Sequence, residues 1–225
     1  MKWTLLFDID GTLISTKGAG FAAIGRAMEE MFGVASIPAV RLHGRTDYAI
    51  ISDIFADAGI AVAGHMEAFS QLYWKYLPDA LRANEQGEIL PGVSELLEAL
   101  HTDERFCVGL LTGNAKVPAM IKMQHFDLDR YFSFGGFGDT TACRNEVAKL
   151  AAESAQKQLG EQFDLSRIWV IGDTISDIHC ARAINSKIVA VETGGGTPSQ
   201  LAGEGPDIQL PTMSDYRSLI EIFVK

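Results

Sequence analysis

Short runs of consecutive apolar residues alternate along the chain with longer segments whose apolar residues recur every three or four positions. Unbroken apolar runs of this length are typical of strands that are covered on both faces of a parallel sheet. They predict strands at Leu5–Phe7, Cys107–Leu111, Ile168–Ile171 and Ile188–Val191. The periodic segments between these runs predict helices at Val93–Leu100, Val117–Gln124, Glu146–Leu159 and Ile178–Ile184. The alternation predicts an α/β fold with a doubly wound parallel sheet.

The region from about residue 16 to residue 84 interrupts this alternation. Apolar positions there have helical spacing in Phe21–Met31, Tyr48–Ala58 and Met66–Leu81, and none of these segments has the pattern of a strand. The Pro91-Gly92 pair marks the return to the alternating pattern. We therefore predict a core domain of residues 1–15 and 86–225, with an inserted all-helical cap domain of residues 16–85.

Composition and charge restrict the class of partner. The chain has 225 residues, of which 47% are hydrophobic and 21% charged, as expected for a well-packed globular protein. Its formal net charge of -10 argues against a nucleic acid or an anionic membrane as partner, because neither would be attracted by the field of the whole molecule. A phosphorylated ligand would also be repelled at long range. Such a ligand would need local cations, helix N-termini or a bound metal.

The cysteines and the apolar runs indicate the cellular compartment of the protein. The three cysteines, Cys107, Cys143 and Cys180, cannot all form pairs and have no C-x-x-C spacing, which is typical of free thiols in a reducing compartment. We find no signal peptide pattern and no apolar run of membrane-spanning length. We expect a cytoplasmic protein without a membrane partner, either a monomer or a small homo-oligomer.

Two carboxylates follow the first predicted strand directly. Asp8 and Asp10 are separated by one residue, and Gly11 permits a turn immediately after them. Parallel sheets bind their ligands outside the carboxyl ends of the strands, which is where this pair would lie. Two carboxylates at such a position can divide covalent and acid/base chemistry between them, or hold a divalent cation through hard oxygen ligands.

Two later strands also end in residues that suit an anion or a metal. Thr112-Gly113-Asn114 combines a hydroxyl group, an exposed backbone and a helix N-terminus, which together favour anion binding, although an ordinary helix N-cap has the same pattern. Asp173 follows the Ile168–Ile171 strand, and Asp177 lies one helical turn later. Helix capping by acidic residues would explain that second pattern equally well.

The segment Leu5–Leu13, with its D-x-D-G-T pattern, resembles the first signature of the haloacid dehalogenase superfamily. Most members of that superfamily are magnesium-dependent phosphatases with a Rossmann-like core and, in many cases, a helical cap inserted after the first strand. The resemblance implies that Asp8 is the nucleophile and Asp10 the general acid/base. It also implies that Thr112 binds the phosphoryl group, with Gly113 and Asn114 beside it.

The same resemblance implies a magnesium site. Its ligands would be Asp8, Asp10 through its backbone carbonyl, and Asp173. Asp177 would be a further ligand or would orient the others. The resemblance extends over nearly the whole chain, since the position of the helical insert also fits.

The third signature of the family differs here, because the common Lys-Pro pair is absent. Arg144 stands in the corresponding place before a predicted helix, and its guanidinium group could neutralise phosphate and nucleophile. Lys149 and Lys122 remain alternatives for that cation. Within the insert, the segment Leu42–Asp47 resembles the cap loop of phosphoglycolate phosphatase-like and β-phosphoglucomutase-like members. Arg45 would then contact the substrate; alternatively Thr46 or Asp47 caps a helix and Arg45 lies in solvent.

These features favour a magnesium-dependent phosphomonoester hydrolase that acts on a small phosphorylated metabolite through an aspartyl-phosphate intermediate. Alternatives within the same fold are a sugar-phosphate mutase and a haloacid dehalogenase. A non-catalytic protein that binds phosphorylated metabolites is the alternative from another class. The sequence does not identify the alcohol part of the phosphate ester, since phosphoglycolate, sugar phosphates and nucleoside monophosphates all fit.

Overall fold

A computed structural model describes residues 1–38 and 40–225. Its strands are β1 (Trp3–Phe7), β2 (Ile14–Ser15), β3 (Glu88–Ile89), β4 (Phe106–Leu111), β5 (Gly135–Gly136), β6 (Ile168–Gly172), β7 (Lys187–Val191) and β8 (Ile208–Leu210). Its α-helices are α1 (Ala19–Phe32), α2 (Asp47–Asp57), α3 (Met66–Ala83), α4 (Val93–Thr102), α5 (Lys116–His125), α6 (Arg144–Leu159), α7 (Ile175–Ala183), α8 (Pro198–Gly203) and α9 (Tyr216–Phe223). Short 3-10 helices occupy Asp129–Tyr131, Gly160–Gln162 and Leu165–Arg167.

Six strands form one parallel sheet in the order β5-β4-β1-β6-β7-β8. The chain builds outward from β1 first in one direction, through β4 and β5, and then in the other, through β6, β7 and β8. In open α/β sheets, the crevice at such a reversal point is where ligands bind. The sheet order therefore places the carboxyl ends of β1, β4 and β6 together.

Both faces of this sheet are covered by helices. Leu5 and Phe7 of β1 belong to one buried cluster, which includes residues of α4, α5 and α9. Leu6 points to the opposite face and belongs to a second cluster, with residues of α6, α7 and α8. Because neighbouring residues of a strand face opposite sides, this division explains the unbroken apolar run of β1. The predicted α/β fold class with a doubly wound parallel sheet is confirmed.

The helices α1, α2 and α3 lie between β2 and β3 in the chain and share a third buried cluster, whose aromatic centre is Phe55 and Phe69. The antiparallel pair β2–β3, with Ile14 opposite Ile89, brings the two ends of this insert together. All three helices were predicted from periodicity. The division into a core of residues 1–15 and 86–225 and a cap of residues 16–85 fits this arrangement and stays a prediction. In the described part of the chain, no helix is long and apolar enough to cross a membrane.

Six strands and α-helices of the core were not predicted from the sequence, namely β2, β3, β5, β8, α8 and α9. The strand β5 consists of two glycines, so it carries no side-chain pattern. It is an edge strand, and its pairing with β4 depends on backbone hydrogen bonds alone. The helix α9, by contrast, has apolar residues at helical spacing, Leu219 and Phe223 among them, and could have been recognised.

Gly18 and Gly92 have the same backbone conformation but different surroundings. Comparing substitutions at the two positions measures how tightly the chain is packed before α4, where it re-enters the core. Gly92 precedes α4 at φ +84°, and a Cβ there would lie 2.1 Å from the backbone of Met213. Gly18 precedes α1 at φ +90° with no such neighbour within 4 Å. We expect Gly18→Ala to lower the free energy of unfolding by about 1–2 kcal/mol. Gly92→Ala should cost roughly 1–3 kcal/mol more, because the backbone of Met213 must move.

Urea unfolding of both variants measures this difference. Equal losses of stability in the two variants would contradict the close approach of Gly92 to Met213.

Candidate active site

Three strand ends meet at one edge of the sheet. Asp8 follows β1, and its backbone N–H donates to the carbonyl of Ile171 in β6 at 2.9 Å. Thr112 follows β4, and its N–H donates to the carbonyl of Gly136 in β5 at 3.1 Å. Asp173 follows β6. The structure therefore brings together the strand-end residues that were predicted to share a site.

Carboxylate oxygens of Asp8, Asp173 and Asp177 all lie within 4.8 Å of one another, and all three residues are buried. The carboxylate of Asp173 is held by two donors, the hydroxyl of Thr12 at 2.8 Å and the backbone N–H of Gly195 at 2.6 Å. Neither donor was predicted. The position of Thr12 within the D-x-D-G-T pattern and the glycine run that contains Gly195 were the available signals. An all-oxygen group of this kind could hold a divalent cation.

The electrostatics of this group also fit a cation. Burial raises the pKa of Asp8 to about 7, with Arg144 opposing the shift and the neighbouring Asp177 and Asp10 adding to it. Burial, together with Asp177 and Asp8, also raises the pKa of Asp173 well above its ordinary value. Closely spaced carboxylates therefore disfavour full ionisation in the absence of positive charge. A divalent cation among them would relieve this repulsion.

Arg144 is the first residue of α6 and is buried beside the acidic group. Its guanidinium forms a close ion pair with Asp177, and its Nη1 lies 3.6 Å from Oδ1 of Asp8. Asp177 in turn accepts a hydrogen bond from the N–H of Thr174 at 3.0 Å, so it also caps α7. Lys149 lies exposed further along α6. The predicted contact of Arg144 with a phosphate stays a prediction; the residue lines the cavity next to Asp8.

The carboxylate of Asp10 faces a different set of partners. Its Oδ2 accepts hydrogen bonds from the ammonium group of Lys122 at 2.5 Å and from the side-chain amide of Asn114 at 2.8 Å. Lys122 also donates to Oδ1 of Asn114 at 2.6 Å. Burial alone would raise the pKa of Asp10, but Lys122 and the hydrogen bonds from Lys122, Asn114 and Thr16 outweigh it and lower the pKa. In this structure Asp10 is therefore a carboxylate paired with an ammonium group.

Lys122 was an alternative for the cation that neutralises phosphate, and its contacts in the structure are with Asp10 and Asn114. It is buried on α5, where Pro118, Ala119 and Met123 are also buried. Burial of a lysine among apolar residues requires a partner of opposite charge, and Asp10 supplies it.

Thr112 lies beneath Asn114 and is completely buried. Its hydroxyl oxygen accepts hydrogen bonds from the backbone N–H of Asn114 at 3.2 Å and from the side-chain amide at 3.0 Å. Gly113 and Asn114 line the adjacent cavity. Thr112 thus orients Asn114 in this structure, and its contact with a phosphoryl group stays a prediction.

The start of α2 docks directly on the core. The N–H of Asp47 donates to the carbonyl of Gly113 at 2.7 Å, and Oδ2 of Asp47 accepts from the N–H of Ala115 at 2.9 Å. A Cβ on Gly113 would lie 1.9 Å from the carbonyl oxygen of Arg45, so only glycine permits this approach. Asp47 of the insert therefore caps α5 of the core, a role that the sequence did not indicate.

Arg45 has intramolecular partners. Its guanidinium lies 2.7 Å from Oδ2 of Asp53 and donates to the carbonyl of Ala49 at 3.3 Å. Thr46, the next residue, caps α2 by accepting from the N–H of Ala49 at 3.1 Å. A contact between Arg45 and an anionic group of a substrate stays a prediction, and it would require the guanidinium to leave Asp53.

A cavity of about 500 Å³ lies between the sheet edge and the inserted helices. Its core side includes Asp8, Asp10, Asn114, Lys122 and Arg144. Its insert side includes Phe21, Ile24, Leu42, Asp47, Ile50 and Tyr73. Small-molecule sites commonly have such a volume and such a mixture of apolar walls and a few polar groups.

The chain matches the family model of haloacid dehalogenase-like hydrolases over residues 5–182. A phosphoglycolate phosphatase from Synechococcus elongatus is 26% identical over 216 residues, which are 94% of this chain and 93% of that protein. A D-glycero-beta-D-manno-heptose-1,7-bisphosphate 7-phosphatase from Pseudomonas aeruginosa is 31% identical over 144 residues, which are 62% of this chain and 71% of that protein.

Solved structures show the same fold. CbbY from Rhodobacter sphaeroides superposes with a TM-score of 0.72 at 15% identity, covering 96% of both chains. A haloacid dehalogenase-like family hydrolase from Streptococcus pneumoniae has a TM-score of 0.65 at 18% identity, covering 99% of this chain and 98% of that one. Since the family model spans most of the sequence, this chain belongs to the haloacid dehalogenase-like hydrolase family.

Proposed function

We propose that the protein is a Mg²⁺-dependent phosphomonoester hydrolase that acts on a small phosphorylated metabolite through an aspartyl-phosphate intermediate. The observation that carries the proposal is the position of Asp8 at the end of β1. There it lines the cavity, with Nη1 of Arg144 3.6 Å away and with carboxylate oxygens of Asp173 and Asp177 within 4.8 Å. Two relatives that are named phosphatases support the same reaction class.

The residues at this edge of the sheet suit a magnesium ion. Asp8 and Asp173 offer carboxylate oxygens within one small group, and hard oxygen ligands are those that Mg²⁺ prefers. Asp177 belongs to the same group, but its hydrogen bond from Thr174 and its ion pair with Arg144 favour an orienting role. Bound there, Mg²⁺ would offset the negative charge that nucleophile and phosphate share.

The first chemical step is attack by a carboxylate oxygen of Asp8 on phosphorus. The new P–O bond forms as the bond to the leaving alcohol breaks, which yields the aspartyl-phosphate. Arg144, whose Nη1 lies 3.6 Å from Asp8, stabilises the negative charge on the equatorial oxygens. Asn114 and the backbone of Gly113 line the same part of the cavity and help to position the phosphate.

Asp10 must carry a proton when the leaving alcohol departs. A phosphate dianion next to Asp10 disfavours the charged form of this carboxyl group, so Asp10 takes up a proton from solvent as the ester binds. Asp10 then donates the proton to the leaving oxygen. In the second step Asp10 accepts a proton from water, which attacks the aspartyl-phosphate, restores Asp8 and releases phosphate.

The raised pKa of Asp8 predicts how metal binding depends on pH. A carboxyl group whose pKa rises to about 7 in the folded, metal-free protein contributes stability at low pH that is lost as the pH rises through about 7. A divalent cation binds the ionised form, so below that pH it must displace a proton. We therefore expect Mg²⁺ to raise the Tm more at about pH 8 than at about pH 6.

Thermal unfolding with MgCl2 or EDTA measures this shift. The Asp173→Asn variant should lose most of the increase in Tm that Mg²⁺ causes. The Asp139→Asn variant, which alters an exposed carboxylate outside the acidic group, should retain this increase. A shift of equal size at both pH values would contradict the assignment.

The role of Asp8 as nucleophile is tested by Asp8→Asn, which keeps the shape of the side chain and removes the attacking oxygen anion. Turnover of p-nitrophenyl phosphate with Mg²⁺ should fall by on the order of a thousandfold or more. Asp57→Asn, at an exposed carboxylate of α2, should keep the original rate. Near-normal turnover in a folded Asp8→Asn variant would place the chemistry elsewhere.

Arg144 is expected to contribute to the transition state. Arg144→Ala should lower kcat/KM by about a hundredfold or more, since a buried cation next to the transferred phosphoryl group is lost. Arg144→Lys should restore only part of the activity, because a point charge does not replace two parallel donors. Lys149→Ala, which removes an exposed cation from the same helix, should change little. Steady-state kinetics on variants with unchanged Tm measure these effects, and a fully active Arg144→Ala enzyme would refute them.

A further inference from the structure

The insert side of the cavity is where the alcohol part of an ester would lie, and its apolar and aromatic side chains are those of Phe21, Ile24, Leu42, Ile50 and Tyr73. The phosphate must reach Asp8 at the sheet edge, so the rest of the molecule extends towards the inserted helices. These five apolar and aromatic side chains make up half of those that residues 16–85 contribute to the lining. The others belong to Thr16, to the acidic Asp47 and to the basic residues Lys17, His43 and Arg45. A second anionic group on the substrate could use Lys17 or Arg45 only in competition with their existing partners.

Four Lys or Arg side chains line the cavity within the described part of the chain, and each already has a carboxylate partner. The pairs are Lys17 with Glu88 at 3.0 Å, Arg45 with Asp53 at 2.7 Å, Lys122 with Asp10 at 2.5 Å, and Arg144 with Asp177. His43, the other basic residue of the lining, is exposed to solvent. A second negative charge on the substrate would therefore compete with an existing carboxylate partner for each of these four Lys or Arg cations.

Asp47 makes the insert side unfavourable for anions. Its side chain lines the cavity although the residue is only 8% exposed, and among residues 1–38 and 40–225 it forms no ion pair with Lys or Arg. Burial raises its pKa to about 6, with the field of Lys122 opposing this shift. At neutral pH it is an anion that repels another carboxylate and can accept a hydrogen bond from a hydroxyl group.

The size of the cavity also favours a larger, partly apolar alcohol. A volume of about 500 Å³ exceeds what a phosphate with a two-carbon alcohol fills, so such an ester would leave the walls at Phe21, Ile24 and Ile50 in contact with water. An alcohol the size of a hexose or an aromatic ring would reach these walls. Contact with them removes apolar surface from water and favours a partly apolar alcohol.

We infer that this cavity selects phosphomonoesters of an uncharged, partly apolar alcohol and discriminates against alcohols that carry a carboxylate or a second phosphate. The inference rests on the proposed phosphatase function and narrows its substrate class. It sets this chain apart from the phosphoglycolate substrate for which two of its relatives are named.

Two matched pairs of esters test the inference on the unmodified enzyme with Mg²⁺. Hydroxyethyl phosphate and phosphoglycolate differ by one carboxylate, and so do para-carbamoylphenyl and para-carboxyphenyl phosphate. We expect kcat/KM to be about tenfold or more higher for the uncharged member of each pair, because the charged member meets Asp47 without a free cation. The aromatic pair should also have a lower KM than the two-carbon pair, because the ring reaches the apolar walls.

The outcomes separate the inference from the function on which it rests. Turnover with equal or reversed preference within both pairs overturns the inference and leaves the phosphatase function intact. If neither these esters nor p-nitrophenyl phosphate is hydrolysed with any divalent cation, the proposed function fails and the inference fails with it.

A pair of variants assigns the discrimination to Asp47. Asp47→Asn keeps an acceptor for the N–H of Ala115 but removes the charge, so the preference for uncharged esters should fall by about threefold or more. Asp139 accepts from the N–H of Lys116 at 3.0 Å, at the same end of α5 but exposed and outside the cavity lining. Asp139→Asn should therefore keep the original preference. An unchanged preference in a folded Asp47→Asn variant would refute the role of Asp47, and if that variant unfolds, the ester pairs alone decide.

Discussion

Burying several carboxylates at the end of one strand is unfavourable unless each receives positive charge or hydrogen-bond donors. The structure meets this constraint by bringing in partners from distant parts of the chain. Arg144 from the start of α6 lies beside Asp8, and Lys122 from α5 pairs with Asp10. The Gly195 backbone, from the segment after β7, donates to Asp173. The sheet order, with β1 between β4 and β6, is what makes all these approaches possible at once.

The same constraint connects the insert to the core. At the N-terminus of α5, the N–H of Ala115 has no carbonyl of its own helix to donate to. It donates instead to the carboxylate of Asp47 from the insert. Gly113, without a side chain, lets the loop before α2 come close enough for this contact. One docking contact therefore fixes both the groups that would face the phosphate and the wall that would face the alcohol. In the proposed function, chemistry and selectivity would therefore depend on the same few backbone positions.

Much of the fold could be predicted from local pattern, and much of the site could not. The apolar runs placed β1, β4, β6 and β7 within a residue or two of their observed bounds, since strands covered on both faces leave a strong signal. The predicted superfamily is also confirmed by the family model. The pairing of Lys122 with Asp10 joins residues 112 positions apart. No local pattern encodes such a pair, and its recognition requires the helix to be placed on the sheet.

The balance of charge within the site bears on whether the divalent cation or the phosphate ester binds first. Asp8, Asp10, Asp173 and Asp177 contribute four carboxylates, while Lys122 and Arg144 contribute two cations that are already paired. A phosphate dianion approaching this arrangement alone would meet net repulsion, which the overall charge of -10 strengthens. A divalent cation restores neutrality among these groups, so its binding should precede that of the ester. After the ester binds, any further negative charge on the alcohol would meet Lys17 and Arg45 only in competition with Glu88 and Asp53, so the proposed site would select for charge as well as for shape.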